Sequence, residues 1–221
     1  MRLGFVALAA ALFCSGAALQ ASAASYKLET VSAAPEGLKA SLQALLQTKG
    51  YKVANEQEVA WCEVWIRKEI ANFGKPAPGA NYPALHPGQL VGVMQFNATG
   101  SDYRGQAIKP GLYTLRYCLI LQDGNHLGVA PILDFLLLVP AAEDTKDADA
   151  IMSTSEVVAL SRKASGTNHP AVISLASPSE AVATPTLEKD DLDHWVLKVK
   201  SQSKPGTDLP ISIIVVGRAE G

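Results

Sequence analysis

Two loops contain the histidines, carboxylates and amides that metal sites and proton-transfer sites use. They read Asp123-Gly124-Asn125-His126 and Gly166-Thr167-Asn168-His169-Pro170. Imidazole and carboxylate groups suffice for a tetrahedral zinc or copper site, with His126 and His169 as two of the ligands. Asp123 or Asp134 would supply the carboxylate. The spacing matches no fixed motif such as HExxH, so the alternative interpretation is a pair of turns whose histidines hydrogen-bond locally.

A pair of tryptophans forms the second candidate site. Trp61 and Trp65 alternate onto one face of a predicted strand over residues 59–70. A flat indole face can stack on a sugar ring, but four positions span roughly 13 Å, too far for both rings to grip one ligand ring. The alternative is that both pack beneath the preceding helix, since tryptophan is usually largely buried. The candidate ligand-binding residues are therefore Trp61, Trp65, Asp123, Asn125, His126, Asn168 and His169.

The sequence contains none of the common enzyme motifs. It has no G-x-S-x-G elbow, no G-x-G-x-x-G and no P-loop. Its acidic residues offer no recognisable catalytic pair, because such a pair is defined by the distance between the two carboxyl groups. No catalytic residue is predicted, and an unrecognised hydrolase stays open as an alternative.

Residues 1–23 have the form of a secretory signal peptide. Arg2 precedes an apolar run from Leu3 to Phe13, and Ala21-Ser22-Ala23 supplies a small-residue cleavage site. The alternative is an anchor that stays attached, but the apolar run is short for a membrane span, which needs about 20 residues. The sequence therefore predicts cleavage after Ala23 and a secreted or periplasmic mature protein.

The charge of the chain points to no particular partner. The formal net charge is −2 at pH 7. This balance gives no electrostatic footprint for nucleic acid or for an anionic lipid surface. The most apolar run after the signal peptide, Phe135–Val139, has the length of a strand and not of a membrane span. We expect no nucleic-acid partner and no stable membrane insertion after cleavage, whereas a protein or carbohydrate partner stays open.

Two cysteines remain after signal cleavage, Cys62 and Cys118. An even number in an oxidising compartment favours a disulfide between them. The bond would close a loop of about 56 residues and stabilise the fold by roughly 3–4 kcal/mol. Two buried free thiols are the alternative.

The segment from Gly88 to Pro140 indicates the centre of the fold. Its apolar runs alternate with loops rich in Gly, Asp, Asn and Pro, which is typical of successive strands. Strands over 112–121 and 132–139 are predicted to pair as an antiparallel hairpin. One face then carries Leu115, Tyr117, Leu119, Leu133, Phe135 and Leu137, and the other carries Thr114, Arg116, Cys118, Ile120, Asp134, Leu136 and Leu138. Arg116 and Asp134 share a face and are expected to pair, because a buried charge needs a partner.

Two helices accompany the strands. Leucines at helical spacing predict an amphipathic helix over residues 35–49, lying on a sheet. Ser153 and Glu156 match the spacing of a capping box and predict a second, short helix over residues 154–163.

Both faces of the central hairpin are mostly apolar, so we expect it to be covered on both sides. The predicted class is mainly β (α+β), an antiparallel β-sandwich with one N-terminal amphipathic helix and a second short helix. Residues 24–221 are predicted to form a single domain. The alternative is that residues 24–71 form a small subdomain of helix and strands, which a loop over residues 72–88 connects to the rest.

Three segments carry a resemblance to known proteins: CEVWIRKE (62–69), IKPGLYTLRY (108–117) and DGNHLGVAPILDFLLLVPA (123–141). On these segments the chain resembles a group of secreted bacterial proteins to which no activity is assigned, and the similarity spans most of the mature chain. The P-G-x-Y-T-L piece alone recurs in many β-sandwich domains. The resemblance implies an exported, β-rich protein and carries over no activity.

These observations leave three functional hypotheses. The preferred one is an exported, non-enzymatic binding or accessory protein that needs no cofactor and contacts its ligand through exposed loops or tryptophans. The first alternative is a periplasmic protein that binds zinc or copper through the loop histidines. The second alternative is the unrecognised hydrolase.

Overall fold

The structure is a computed structural model that describes residues 24–120 and 130–219. The chain is mainly β, which confirms the predicted class. The strands are β1 (Tyr26–Val31), β2 (Gly50–Asn55), β3 (Ala60–Ile66), β4 (Glu69–Ile70), β5 (Leu90–Phe96), β6 (Gly100–Ser101), β7 (Ala107–Ile108), β8 (Gly111–Leu119), β9 (Asp134–Pro140), β10 (Val172–Ser174), β11 (Thr186–Lys189), β12 (Trp195–Ser203) and β13 (Thr207–Val216). The helices are α1 (Ala40–Gln43) and α2 (Thr154–Ser165).

Seven strands form one antiparallel sheet in the order β1-β2-β3-β5-β8-β9-β10. Its central strands are buried on both faces because their sequences are apolar at nearly every position. Gly92 permits a close approach of β5 to β3, since a Cβ there would lie 2.3 Å from the backbone oxygen of Trp65. The sheet curls into a half-barrel, and residues 24–71 contribute its first three strands.

The second sheet joins β11, β12 and β13 as antiparallel neighbours, and β4 pairs in parallel with the end of β12. Its apolar side chains pack with those of the curled sheet in the largest hydrophobic cluster. An isolated antiparallel bridge between Leu175 and Ile213 links the two sheets beyond β10. The predicted sandwich is therefore not confirmed, because the main sheet curls and this bridge connects the second sheet to its end.

The long N-terminal helix predicted over residues 35–49 is wrong. Only Ala40–Gln43 is helical, and Gly37 adopts a positive φ of 80°, which interrupts a helix before that turn. Leu46 instead forms an isolated bridge with Arg67. The leucines are nevertheless buried, because Leu38, Leu42 and Leu46 pack around Trp65 in a second hydrophobic cluster.

The second helix is confirmed. Ser153 accepts a hydrogen bond from the backbone of Glu156, and the Glu156 side chain accepts one from the backbone of Ser153, as a capping box requires. Gly166 ends the helix in the left-handed region at φ 66°. Val157 and neighbouring side chains bury the inner face of α2 against β9.

The central hairpin of β8 and β9 is present, but its register differs by one residue from the assumed one. Leu115 lies opposite Leu138 and Tyr117 lies opposite Leu136, whereas Phe135 lies opposite Cys118. Shifting a strand by one residue exchanges its faces, so Arg116 and Asp134 point to opposite sides of the sheet. The predicted pairing of their charges is wrong.

Among the described residues, no helix is long and apolar enough to span a membrane.

Candidate functional site

Trp61 and Trp65 do not share a face of β3. Val53 lies opposite Cys62 and Ala54 lies opposite Ala60, so Trp61 is the extra residue of a β-bulge. The bulge reverses the alternation, and Trp61 packs against the core between the two sheets while Trp65 packs on the other side. Trp65 is 1 % exposed, and its indole nitrogen donates to the backbone oxygen of Ala33 at 2.9 Å. Its role is packing beneath the leucines, as the alternative interpretation holds.

Trp61 instead belongs to a group of aromatic side chains from three strands. The ring of Tyr26 lies edge-to-face with Trp61 at 6.4 Å and with Trp195 at 5.7 Å. The Trp61 indole nitrogen donates to the backbone oxygen of Val215 at 2.8 Å, which fixes the ring. Burial raises the pKa of Tyr26 above its ordinary value. All three rings are only partly buried, so they combine a fixed position with access to solvent.

These rings lie near the contact between β1, an edge strand of the curled sheet, and β11, an edge strand of the second sheet. We call Tyr26, Leu28, Trp61, Leu187 and Trp195 the aromatic seam; all five are partly buried apolar side chains packed on the main core. In the described structure β1 pairs only with β2, and β11 pairs only with β12. The two strands are in contact, yet no hydrogen-bonded ladder joins them.

Charged side chains protect the outer faces of both edge strands. Glu29 on β1 forms ion pairs with Lys27 at 3.4 Å and with Lys52 at 2.6 Å. On β11 and β12, Glu188 pairs with Lys198 at 2.5 Å. Such exposed pairs contribute little to stability, but they discourage non-specific edge-to-edge aggregation. The aromatic seam is therefore flanked by charged side chains on both edge strands.

Asp134, one of the predicted metal ligands, is engaged in hydrogen bonds within the fold. It is fully buried, and its carboxylate accepts hydrogen bonds from the backbone nitrogens of Asn81 and Tyr82 and from the Tyr117 hydroxyl, the last at 2.6 Å. The Asn81 amide donates to it as well, at 2.9 Å. Burial raises the pKa of Tyr117, and the hydrogen bond to Asp134 adds to this. The carboxylate fastens the loop over residues 72–88 to the sheet, and its oxygens are already engaged.

The other predicted ligands are not brought together by the described structure. Asn168 and His169 are exposed, and their loop is tied to its neighbour by a hydrogen bond of 2.8 Å from Thr167 to Gln106. Asp123, Asn125 and His126 lie outside the described residues. Within residues 24–120 and 130–219, no three His, Cys, Asp or Glu side chains are grouped closely enough to hold a metal ion.

Cys62 and Cys118 are both buried and both free, so the predicted disulfide is absent. Cys62 packs in the core between the sheets, and Cys118 packs on the opposite face of the curled sheet with α2. Strand β5 also separates β3 from β8, which places the two Cα atoms beyond the range of about 4.4–6.8 Å that a disulfide spans. Burial raises the pKa of both thiols, most for Cys62.

Sequence reasoning missed a constellation at His194. This side chain is 3 % exposed; its Nδ1 lies 3.1 Å from Oδ2 of Asp190, and its Nε2 lies 3.4 Å from the Tyr103 hydroxyl. An Asp-His-hydroxyl chain is the arrangement that orients a catalytic imidazole. Oδ1 of Asp190, however, also accepts backbone hydrogen bonds from Leu192 and His194. The D-x-x-x-H spacing was the available signal in the sequence, and the local role of the group is to close the β11–β12 turn.

Two buried arginines hold the acidic segment that follows β9. Arg116 donates to both carboxylate oxygens of Asp144 at 2.7 and 2.8 Å, with both side chains almost fully buried. Burial raises the pKa of Asp144, but hydrogen bonds from Arg116 and Thr114 outweigh it, so the pKa lies below its usual range. Arg67 binds Asp149 in the same two-point manner at 2.8 and 3.1 Å. These pairs fix the acidic segment to the sheet.

Searches of family models, curated proteins and solved structures found no match to this chain. The resemblance to secreted bacterial proteins therefore stays a prediction. The function must be argued from geometry, and the aromatic seam is the surface that the geometry favours.

Proposed function

We propose that the chain is an exported, non-enzymatic binding domain whose aromatic seam takes up an extended segment of a partner protein. The observation that carries this proposal is that, among the residues that the structure describes, β1 and β11 are in contact without a hydrogen-bonded ladder between them. Each is the edge strand of its own sheet, so a further strand can pair with its backbone groups where the two edges part.

Backbone pairing would supply affinity, and the side chains of the seam would supply specificity. In strand addition, the peptide backbone bonds to the sheet edge while alternate side chains enter pockets. Tyr26 and Trp195 offer fixed aromatic surfaces for such side chains, and aromatic anchors commonly dominate binding energy. Lys27 and Glu29 alternate with these apolar positions along β1 and favour a partner with polar residues at the intervening sites.

The state of the buried carboxylates supports a binding role over catalysis. Asp102, Asp134 and Asp144 are each less than 5 % exposed and accept hydrogen bonds from backbone or arginine groups. These contacts hold loops in place, so the three carboxylates have a structural role. Export is supported by the form of residues 1–23, and expression in a bacterial host should yield a protein that begins at Ala24, as read by intact mass.

A peptide library tests the proposal. Random nine-residue peptides displayed on phage would be selected on the purified mature protein, and the enriched peptides titrated against variants. We expect enriched sequences to alternate apolar and polar residues and to lose about tenfold or more in affinity for Trp195→Ala, the scale of an aromatic hot spot.

Leu192→Ala is the matched control, because Leu192 is exposed and lies in the turn that precedes Trp195. Its affinity should stay within about twofold of the unmodified protein. Thermal unfolding of both variants verifies that they are folded. Failure to enrich any peptide, or equal binding to both variants, would contradict the proposal.

A further inference from the structure

A second feature, separate from the aromatic seam, is a cleft between the loop over residues 72–84 and the β12–β13 hairpin. Its volume is about 280 Å³. Pro83, Pro178 and Pro210 form its walls, together with Ala84 and Leu209. Proline rings have little rotational freedom, so the walls keep their shape before a ligand arrives and little entropy is lost on binding.

The Ser203 hydroxyl is one of the polar groups that line the cleft. Ser203 is 4 % exposed and lines the cleft, and its hydroxyl has no hydrogen-bond partner within the described part of the chain. Ser201, two residues earlier on the same strand, is equally buried but donates to the backbone oxygen of Arg67 at 2.8 Å. The Ser203 hydroxyl is therefore free to form a hydrogen bond with a molecule that enters the cleft.

Polar side chains with fixed orientations surround the opening. The Asn81 amide nitrogen donates to Asp134, which leaves its carbonyl oxygen to accept a hydrogen bond. The Asn72 carbonyl oxygen accepts from the backbone of Gly74, which leaves its amide nitrogen to donate. Thr207 and Asp208 complete the rim. The lining therefore combines hydrogen-bond donors and acceptors with apolar side chains.

Charge narrows the class of ligand. Among the described residues, no lysine or arginine lines the cleft, and the one carboxylate that does, Asp208, is paired with Lys200 at 2.8 Å. An acidic ligand would find no counter-charge. A wholly apolar side chain is also a poor match, because the lining includes the amides of Asn72 and Asn81 and the hydroxyls of Ser203 and Thr207.

We infer that this cleft is a binding site for one neutral pyranose residue of a carbohydrate. A pyranose combines apolar C–H faces with hydroxyls around its edge. Its apolar face packs against the proline walls, one hydroxyl bonds to Ser203, and others bond to the amides of Asn72 and Asn81. This arrangement follows the general pattern of small-ligand sites, in which apolar walls carry a few fixed polar groups.

The inference is tested by titrating the mature protein with glucose, galactose, mannose and N-acetylglucosamine. Binding is followed by NMR through the side-chain amide signals of Asn72 and Asn81. At least one neutral sugar should give saturable shifts in these signals, and glucuronate should bind more weakly. Ser203→Ala should weaken binding about fivefold, the loss of one hydrogen bond. Gln202→Ala, at the exposed neighbouring position, should leave binding within about twofold.

Stability in the absence of sugar separates a ligand-binding serine from a structural one. Because the Ser203 hydroxyl is unpaired, Ser203→Ala should leave the unfolding midpoint unchanged or raise it. A lowered midpoint would mean that the hydroxyl serves the fold and would overturn the inference. Absence of saturable shifts with all four sugars, equal binding by Ser203→Ala, or shifts of these amides by proline-rich peptides in place of sugars would also overturn it.

Discussion

At the scale of single residues, the most consequential contact is the buried pair of Arg116 and Asp144. Arg116 also donates to the backbone oxygens of Gly88, Lys146 and Asp147, so one guanidinium joins β8 to two loops. Among the described residues, the carboxylate that pairs with this charge is Asp144, which is itself sealed from solvent. Breaking such a pair is costly because the remaining charge stays buried.

Asp144→Asn should therefore lower the free energy of unfolding by roughly 3–5 kcal/mol, the usual range for an uncompensated buried charge. Urea unfolding at neutral pH measures this change. Asp191→Asn is the matched control, since Asp191 is an exposed carboxylate; its effect should stay within about 0.5 kcal/mol. Equal stability of the two variants would show that Arg116 is not held by Asp144.

The loss of stability at acidic pH should depend on Asp144 and on Asp149, the second carboxylate bound by a buried arginine. Hydrogen bonds from arginines hold the pKa values of Asp144 and Asp149 below their usual range despite burial. A group with a depressed folded-state pKa contributes its full stability above the unfolded pKa, about 3.9, and loses it as the pH falls through the folded value.

The unfolding free energy should accordingly be flat between about pH 5 and 7 on account of these groups and fall below about pH 4. Denaturant titrations between pH 2 and 7 provide the measurement. Asp149→Asn should show a shallower acid slope than the unmodified protein. An unchanged slope in this variant would contradict the assignment.

Residue pairing was the part of the fold that the sequence predicted least well. Arg116 and Asp134 were predicted to pair, but the register of β8 and β9 places them on opposite faces of the sheet. Arg116 therefore binds Asp144, and Asp134 binds Asn81. Trp61 and Trp65 looked like neighbours on one face, but a β-bulge separates them. Register and bulges are set by contacts between distant strands, which a local pattern does not contain.

At the scale of elements, α2 shows that a helix can be predicted from a short sequence segment when that segment contains the residues that cap both of its ends. Ser153, Glu156 and Gly166 supply both caps within one short segment. The N-terminal leucines lack such caps, and their burial around Trp65 needs no continuous helix. The two strands of the central hairpin were similarly predictable from alternation and turn residues, whereas their register was not.

Removal of the α2 cap gives a prediction at this scale. Ser153→Ala should cost about 1 kcal/mol, because the backbone nitrogen of Glu156 loses its acceptor. Ser177→Ala, in an exposed loop, is the matched control and should be close to neutral. Urea unfolding compares the two, and an equal effect would show that the capping box does not contribute to stability.

At the scale of the whole molecule, two sheets share one core, and in the described part of the chain a backbone bridge joins them on one side but not on the other. Leu175 and Ile213 bridge β10 to β13 on one side, while β1 and β11 meet without a ladder on the other. Neither the curl of the main sheet nor this asymmetry is visible in the sequence, because both depend on how strands distant in the chain close around the core. The candidate site was accordingly predicted only as far as Trp61.

Amide hydrogen exchange with and without a selected seam peptide tests the central claim most directly. If an added strand pairs along the open edges, exchange should slow in residues 26–31 and 186–189. Exchange in residues 154–165, which form α2, should stay unchanged. Protection confined to other segments, or no protection at saturating peptide, would contradict the account.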